Sequence, residues 1–199
     1  MVICETERLI LRDFTRADIE KRIEWETVDR EWLDWDAPWE RDNDLPVEEM
    51  VKGLEEFADM MAAKGPDDMR FGFQIDVKES GEYIGWISCY CIDDNYDYTD
   101  DDALFAFGID IPPQSCRGKG YGYEAFKAAI EYLTSKGMKE IYTQTWSGNT
   151  RMVALAEKLG FKEICRKKDL REVRGKKYDG LTFVHRGDGV CGSLSERTE

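Results

Sequence analysis

A glycine-rich turn between an apolar strand and a helix is the feature that most restricts how this chain can fold. Gly118, Gly120 and Gly122 fill three of five consecutive positions, and the missing Cβ atoms let main-chain amides approach a bound group closely. Residues 103–111 before the turn read as a β-strand, and residues 123–136 after it read as a helix. A helix N-terminus offers free N–H groups and the positive end of its dipole. The pattern therefore predicts a phosphate or pyrophosphate site at this turn.

The spacing of apolar residues on either side of the turn predicts an α+β fold. Amphipathic periodicity indicates helices over 15–28, 46–64, 123–136 and 149–159. Alternation indicates strands over 8–12, 70–77, 83–92, 103–111, 139–145, 161–168 and 177–185. The strand–helix–strand unit around the glycine turn should be parallel and right-handed. We expect residues 1–185 to form a single domain and the polar residues 186–199 to form a flexible tail.

The glycine spacing argues against two common nucleotide-binding folds. Gly118-x-Gly120-x-Gly122 lacks the G-x-G-x-x-G form of a dinucleotide domain. The chain also contains no G-x-x-x-x-G-K-[ST] P-loop. An ATP-dependent enzyme that uses this turn is therefore the weakest of the alternatives.

The charge of the chain limits its partners. A net charge of −14 argues against nucleic acid, whose binding depends on clustered Lys and Arg. It is compatible with a cationic substrate drawn in by the field, although the simpler interpretation is solubility. Six aspartates crowd one loop around Tyr96 and Tyr98, which is either a solvated loop or the rim of a cationic ligand site. These are Asp93, Asp94, Asp97, Asp100, Asp101 and Asp102.

Cysteine usage and hydropathy predict a cytoplasmic protein without a metal or a membrane span. The six cysteines are scattered, and His185 is the one histidine, so the sequence lacks a zinc-type spacing. Free thiols suit a reducing compartment. No apolar run approaches the roughly 20 residues of a spanning helix, and the N-terminus does not resemble a signal peptide.

Two motifs resemble those of the GCN5-related N-acetyltransferases, the GNAT family. The run Arg117-Gly118-Lys119-Gly120-Tyr121-Gly122 matches the family's [Q/R]-x-x-G-x-[G/A] pyrophosphate motif after a strand. The second motif, an Asn before a helix that ends in Glu-Lys-x-Gly-Phe, is matched from Asn149 to Phe161. Within the family the chain is most similar to the RimJ/RimL type, the ribosomal-protein alanine acetyltransferases. That group shares the opening motif at 6–12 and a closing strand pair at 171–179.

The resemblance implies a GNAT fold with acetyl-CoA as the phosphorylated ligand and no metal. That fold has a mixed, mostly antiparallel sheet, a splayed parallel strand pair and helices on both faces. Amides of the turn would hold the pyrophosphate, two basic side chains would add positive charge, and the strand backbone would pair with the pantetheine arm. Asn149 would contact the arm, cap its helix, or do both. The expected coenzyme-binding residues are Ile109, Ile111, Arg117, Gly118, Lys119, Gly120, Tyr121, Gly122 and Asn149.

The catalytic groups are less well defined by the resemblance. Acetyl transfer needs a neutral amine, and amines are mostly protonated at pH 7, so a base must remove a proton. Relatives carry a carboxylate near the position of Leu104, and Asp102, two residues earlier on the same strand face, is the candidate base. A solvated loop carboxylate is the alternative for Asp102. The Tyr that many relatives use to protonate the leaving thiolate is replaced by Ala156.

The segment between the first two predicted helices is the candidate acceptor surface. Its tryptophans Trp32, Trp35 and Trp39, with Asp34, Asp36 and Glu40, would either line a pocket for an amine or cover the core. The expected activity is acetyl transfer to a primary amine of a protein N-terminus, a polyamine or a small molecule, by a monomer or homodimer. A non-catalytic CoA-binding module is the alternative, because the usual acid is missing and the base is uncertain.

Overall fold

A computed structural model describes residues 1–41, 45–101 and 103–187, and its strands form a single mixed sheet. The strands are β1 (Val2–Glu5), β2 (Leu9–Arg12), β3 (Phe73–Val77), β4 (Tyr83–Ile92), β5 (Tyr98–Thr99), β6 (Leu104–Asp110), β7 (Glu140–Trp146), β8 (Lys162–Val173) and β9 (Lys176–Arg186). The helices are α1 (Ile19–Thr27), α2 (Val47–Ala63), α3 (Tyr121–Ser135) and α4 (Thr150–Lys158). Single 3₁₀ turns lie at Arg16–Asp18, Arg30–Asp34, Pro38–Glu40 and Gln114–Cys116.

The order of the strands places one parallel pair in the middle of an antiparallel sheet. The order is β1-β2-β3-β4-β6-β7-β9-β8, with β5 paired to β4 outside this path. The neighbours β6 and β7 run parallel and, among the described residues, share the one register pair Ala106 with Tyr142. The two strands therefore diverge toward the C-terminal end of β6. A mixed sheet with one splayed parallel pair confirms the α+β expectation.

Alternation along β4 divides the core between the two faces of the sheet. Ile87 faces the larger cluster, where α3 and α4 pack through residues such as Phe126 and Met152. Trp86 faces the opposite side, where it packs with Trp25 of α1. The helix α2 packs on that side through a cluster that contains Ala58 and Met61. Helices therefore cover both faces, as expected.

Buried ion pairs fix the N-terminal end of the sheet. The guanidinium of Arg70, with a side chain 2% exposed, donates to Asp13, whose side chain is 5% exposed, at 2.8 Å. Arg12 donates to Asp18 at 2.7 Å and also binds Asp76. These contacts join the loops that flank β2 to strand β3 and its preceding turn.

The described residues contain no candidate membrane span and no candidate metal site. None of the helices in 1–41, 45–101 and 103–187 combines the length and apolarity needed to span a membrane. In the same ranges, no three His, Cys, Asp or Glu side chains are grouped so that they would hold a metal ion.

Candidate active site

The glycine turn adopts a backbone that L-residues with a side chain rarely take. Gly118 has φ +72° and Gly120 has φ +85°, both in the left-handed region that favours glycine. Gly120 is the N-cap of α3, and its carbonyl accepts from the amide of Glu124 at 3.1 Å. The amides of the helix positions between them have no acceptor within α3, as at any helix N-terminus. The turn thus presents a row of main-chain donors to an anion.

Arg8 supports this turn from the start of β2. Its Nη1 donates to the carbonyl of Lys119 at 2.9 Å, and its guanidinium pairs with Glu124 at 2.6 Å and lies 4.7 Å from the ring centre of Tyr121. The sequence placed Arg8 in a motif of the N-terminal strand and gave it no role. Its contacts show that it holds the turn and the first residues of α3 together.

Arg117, expected to add charge to the pyrophosphate, uses its guanidinium inside the protein. Its Nε donates to the carbonyl of Ile111 at 2.7 Å, and its two terminal nitrogens bind the carbonyl of Pro112 and the carboxylate of Glu31. Partial burial acts to raise the pKa of Glu31, but the hydrogen bond and charge of Arg117 outweigh it and lower that pKa below its ordinary value. Arg117 thereby ties the turn to the segment that follows α1. Its contact with a pyrophosphate stays a prediction.

A first cleft opens where β6 and β7 diverge. It is lined by five of the expected coenzyme residues, Ile109, Ile111, Arg117, Gly122 and Asn149. The other four, Gly118, Lys119, Gly120 and Tyr121, lie in the adjoining turn and the first position of α3. The structure therefore brings all nine together around the glycine turn and the strand gap, and the donor-rich turn and apolar gap fit a ligand with a diphosphate and a slender arm.

Asn149 and two further side chains build the far wall of the first cleft. The Oδ1 of Asn149 accepts from the amide of Met152 at 3.0 Å, so Asn149 caps α4. The guanidinium of Arg151 stacks 3.8 Å from the ring centre of Trp35, and both side chains line the cleft. The carbonyl of Trp35 accepts from Nε1 of Trp146 at 2.8 Å. The segment after α1 is thus held against β7 and α4.

A second cleft lies on the α1 side of the sheet and meets the first one. Both clefts are lined by the same five residues of the linker and the strands, namely Asp36, Gly108, Asp110, Gln144 and Thr145. The rest of the second cleft is formed largely by the Pro38–Glu40 turn, by β4 and by the β8–β9 hairpin. Two ligands bound in the two clefts would approach each other at this shared wall.

Two carboxylates, Asp36 and Asp110, stand at the shared wall. Asp36 keeps access to solvent in the open cleft, but protein atoms surround its carboxyl; this desolvation, followed by the charges of Glu40 and Glu26, raises its pKa to about 6. Desolvation and then the charge of Asp36 raise the pKa of Asp110 well above its ordinary value, while Arg22 acts weakly in the opposite direction. With a pKa of about 6, Asp36 is mostly ionised at neutral pH and can take a proton from an amine, whereas Asp110 keeps its proton to higher pH than an ordinary aspartate.

Tyr90 lies beside this pair on β4 and lines the second cleft. Its phenol receives a hydrogen bond from the backbone of Gln144, while burial and the nearby charge of Asp36 raise its pKa above the ordinary value. Tyr90 is thus a protonated hydroxyl group at the junction of the two clefts.

The structure separates the residues that were expected at the acceptor surface. Trp39, Asp36 and Glu40 line the second cleft. Trp32 is 7% exposed and belongs to the core, and Asp34 pairs with Arg41 and Arg174. The segment therefore gives some residues to a cleft and others to the core, and binding of an amine in that cleft stays a prediction.

The candidate base Asp102 lies outside the described residues. The structure instead draws attention to Asp110, which the sequence reasoning missed. The signal was present, because Asp110 is the one carboxylate in the otherwise apolar run of 103–111. Its partner Asp36 is distant in the sequence, so the pairing depends on the fold.

The mixed sheet with its splayed parallel pair is the fold of an acetyltransferase domain, and comparison with known proteins agrees. Residues 8–162 match the family model described as "Acetyltransferase (GNAT) domain". The chain belongs to the GNAT family of acetyltransferases, and it is an N-acetyltransferase. No curated protein matches the sequence.

Solved structures show the same fold at low identity. RimL, a ribosomal L7/L12 alpha-N-protein acetyltransferase in complex with coenzyme A, has a TM-score of 0.71 and 15% identity, over 94% of this chain and 98% of that one. The ribosomal-protein-S5-alanine acetyltransferase from Vibrio fischeri gives 0.70 and 17%, over 93% and 96%. The microcin C7 self-immunity acetyltransferase MccE, in complex with acetyl-CoA and AMP, gives 0.66 and 14%, over 91% and 93%. At these identities the neighbours show the shared fold, and the RimJ/RimL type stays a prediction from the sequence motifs.

Proposed function

We propose that the protein transfers an acetyl group from acetyl-CoA to a primary amine while both substrates are bound. The observation that carries this proposal is the junction of the two clefts at Asp36, Asp110 and the neighbouring strand residues. The first cleft suits the coenzyme, because it joins the glycine turn to the gap between β6 and β7. The second cleft then receives the amine. Holding both reactants at a shared wall supplies much of the rate of such a reaction.

The residues around the first cleft divide the binding of acetyl-CoA between them. Amides of 118–122 are the donors for the diphosphate, and the backbone around Ile109 and Ile111 pairs with the pantetheine arm. When bound, the coenzyme supplies an activated thioester carbonyl. A backbone N–H of this strand is placed to donate to that carbonyl oxygen.

The carboxylates at the shared wall supply the proton acceptor. The ammonium group gives its proton to the Asp36–Asp110 pair, the neutral nitrogen bonds to the thioester carbon, and the carbon–sulfur bond breaks. The sulfur leaves as a thiolate, and the proton that the nitrogen loses on becoming an amide passes to that sulfur through water. Asp102 remains a second candidate for the base, on the strength of its place two residues before β6.

Direct attack by the amine is favoured over an acyl-cysteine intermediate. Burial raises the pKa of the Cys89 thiol to about 12. Cys89 also packs toward the α3–α4 core, away from the second cleft. Cys89 is therefore a protonated core thiol and a poor nucleophile.

The second candidate is a module that binds CoA without catalysis. It is favoured by Ala156, which is 0% exposed on α4 and provides no acid at the position where many relatives carry Tyr. Calorimetry with CoA, followed by thiol release from acetyl-CoA with a panel of primary amines, separates the two. Turnover with at least one amine supports the transferase; tight CoA binding without turnover of any amine contradicts it.

We further propose the setting of this activity. Residues 1–185 act as one acetyltransferase domain, as the main hydrophobic cluster from Leu9 to Phe183 supports; of the predicted tail 186–199, Arg186 ends β9 and residues 188–199 lie outside the described residues. Free thiols at Cys4, Cys89, Cys91, Cys116 and Cys165 support work in the cytoplasm. The protein acts as a monomer or homodimer, without nucleic acid.

A further inference from the structure

The second cleft is bridged on its outer side. The segment 34–41, which we call the bridging segment, contacts the β8–β9 hairpin. The carboxylate of Asp34 pairs with Nη2 of Arg174 at 2.9 Å, and the guanidinium of Arg171 lies 4.4 Å from the ring centre of Trp39. The bridging segment and the hairpin also enclose the buried side chain of Val173. The cleft is therefore bridged on this side, while Asp97 and Tyr98, which also line it, are exposed.

Aromatic rings form much of the wall beneath this cover. Trp39 meets Trp146 edge to face at 6.2 Å, and Trp146 meets Tyr178 in the same way at 4.8 Å. Tyr90 and Tyr96 complete the aromatic lining. Such rings suit an apolar body, and their faces attract a nearby cation.

The acidic side chains of Asp36 and Asp110 lie at the inner end of the cleft, whereas the basic side chains at its outer end already have partners. Lys167 pairs with Asp97 at 2.6 Å, and Arg171 is stacked on Trp39. Asp36 and Asp110 at the inner end influence each other's charge. A cationic group that reaches the shared wall would therefore meet two carboxylates.

The cations closest to these carboxylates are held by other groups. Arg22 lies 3.2 Å from the ring centre of Trp86 and pairs with Glu26 at 3.1 Å. Arg117 is bound to Glu31 and to two main-chain carbonyls. These two guanidinium groups are thus engaged elsewhere, and an ammonium group can pair with the carboxylates of the shared wall when they are ionised.

We infer that the acceptor is a compact primary amine with an apolar or aromatic body, and that a protein N-terminus is a poor acceptor. This inference rests on the proposed acetyl transfer. The ammonium group would lie at Asp36 and Asp110, and the body would lie among Trp39, Trp146 and Tyr96. The contacts between the bridging segment and the hairpin would narrow the path of a polypeptide that continues outward from the cleft.

The first experiment compares acceptors with the unmodified enzyme. Initial rates of thiol release from acetyl-CoA are measured with 2-phenylethylamine and tyramine, with spermidine, and with decapeptides that begin with Ala or Ser. We expect kcat/KM for an arylalkylamine to exceed that for either peptide at least tenfold. A peptide or spermidine that matches the arylalkylamines would overturn this inference but leave the transferase standing. Absence of turnover with every acceptor would instead contradict the proposed function.

The second experiment opens the cover. The double variant Arg171→Ala/Arg174→Ala removes both guanidinium contacts, and Lys176→Ala/Lys177→Ala on the same hairpin removes the same charge from exposed positions. We expect the first variant to raise the ratio of peptide to arylalkylamine kcat/KM at least threefold with CoA affinity unchanged, and the control to leave that ratio as it is. An unchanged ratio in a variant that melts like the unmodified enzyme would show that the cover does not select the acceptor.

Discussion

Two aspartates that are far apart in the sequence form the centre of the proposed chemistry. Asp110 ends β6 on the same sheet face as Trp86, its register partner on β4, and Asp36 comes from the linker after α1. The groups that set their charge come from several elements, with Glu26 and Arg22 on α1, Glu40 on the bridging segment and Arg117 on the glycine turn. The protonation of the pair is thus a property of the assembled site.

Replacing Asp36 by Asn should move the acid limb of the pH profile. The negative charge of Asp36 raises the pKa of Asp110, so its removal lowers that pKa, and the base stays ionised to lower pH. We expect the acidic fall in kcat/KM of the unmodified enzyme to begin near or above the Asp36 pKa of about 6, and to shift to lower pH in Asp36→Asn. Rates between pH 5 and 9 with one amine measure this.

The control for this profile is Asp67→Asn, which removes the same charge from an exposed turn. Because both variants use the same amine, the titration of the substrate cancels in the comparison. If the acid limb does not move in Asp36→Asn, or moves equally in the control, the charge of Asp36 does not set the pKa of Asp110.

Gly120 offers a direct test of the diphosphate site. Gly120 has φ +85° and lies at the start of α3. A Glu side chain in this position therefore adds a negative charge beside the proposed anion. Because like-charge contacts cost several kcal/mol, we expect Gly120→Glu to lose CoA affinity on the order of 100-fold or more, measured by calorimetry.

Gly120→Ala is the matched variant, since it strains the same backbone without adding charge. A Cβ there lies 3.4 Å from Nη2 of Arg8, the end of a flexible side chain. It should keep most of the affinity that Gly120→Glu loses. CoA binding retained by a folded Gly120→Glu protein would contradict the assigned site.

Among the helices and strands, the regular elements were the most predictable. The amphipathic stripe predicted a helix over 46–64, and α2 spans Val47–Ala63; alternation predicted a strand over 83–92, and β4 spans Tyr83–Ile92. These elements follow from patterns that repeat within one segment. The strand β1 was missed because Val2–Glu5 is a short edge strand with exposed ends, which carries little alternation.

Tertiary contacts explain the boundaries that the sequence misplaced. The helix predicted from residue 15 begins at Ile19, because the carboxylate of Asp18 accepts from the amide and hydroxyl of Thr15 and shapes a 3₁₀ turn. The strand predicted from residue 70 begins at Phe73, because Arg70 turns inward to Asp13. The glycine motif was visible in one segment. The second cleft joins seven segments of the chain and was only partly foreseen through Trp39, Asp36 and Glu40.

The Arg70–Asp13 pair should be a main support of the loops at the end of β2. Asp13→Ala leaves a buried guanidinium without its carboxylate, which costs about 3–5 kcal/mol of unfolding free energy. Urea denaturation measures the loss. The exposed pair of Arg16 with Asp59 is the comparison, and Arg16→Ala should cost far less, because solvent screens this pair. Equal losses in the two variants would mean that burial does not set the strength of the first pair.

The field of the complete protein should act on the two substrates in opposite ways. With a net charge of −14, the enzyme attracts a cationic amine over distances that salt shortens to about 10 Å at 0.1 M. We expect kcat/KM for the amine to fall several-fold between low and high ionic strength, mainly through KM. The affinity for anionic CoA should stay level or rise over the same range. If the KM for the amine does not respond to salt, the net negative charge does not attract the substrate and serves solubility alone.

The divergence of β6 and β7 also has a consequence for how the sheet holds together. Among the described residues, β6 and β7 are paired at Ala106 and Tyr142 alone. Beyond this pair they lack the ladder pairing that would join the β1–β6 half of the sheet to the β7–β9 half. A coenzyme arm that lies between them takes the place of a missing strand. Amide protons at 107–111 and 143–146 should therefore exchange with deuterium more slowly once CoA is added, and the two halves of the protein should then unfold as one.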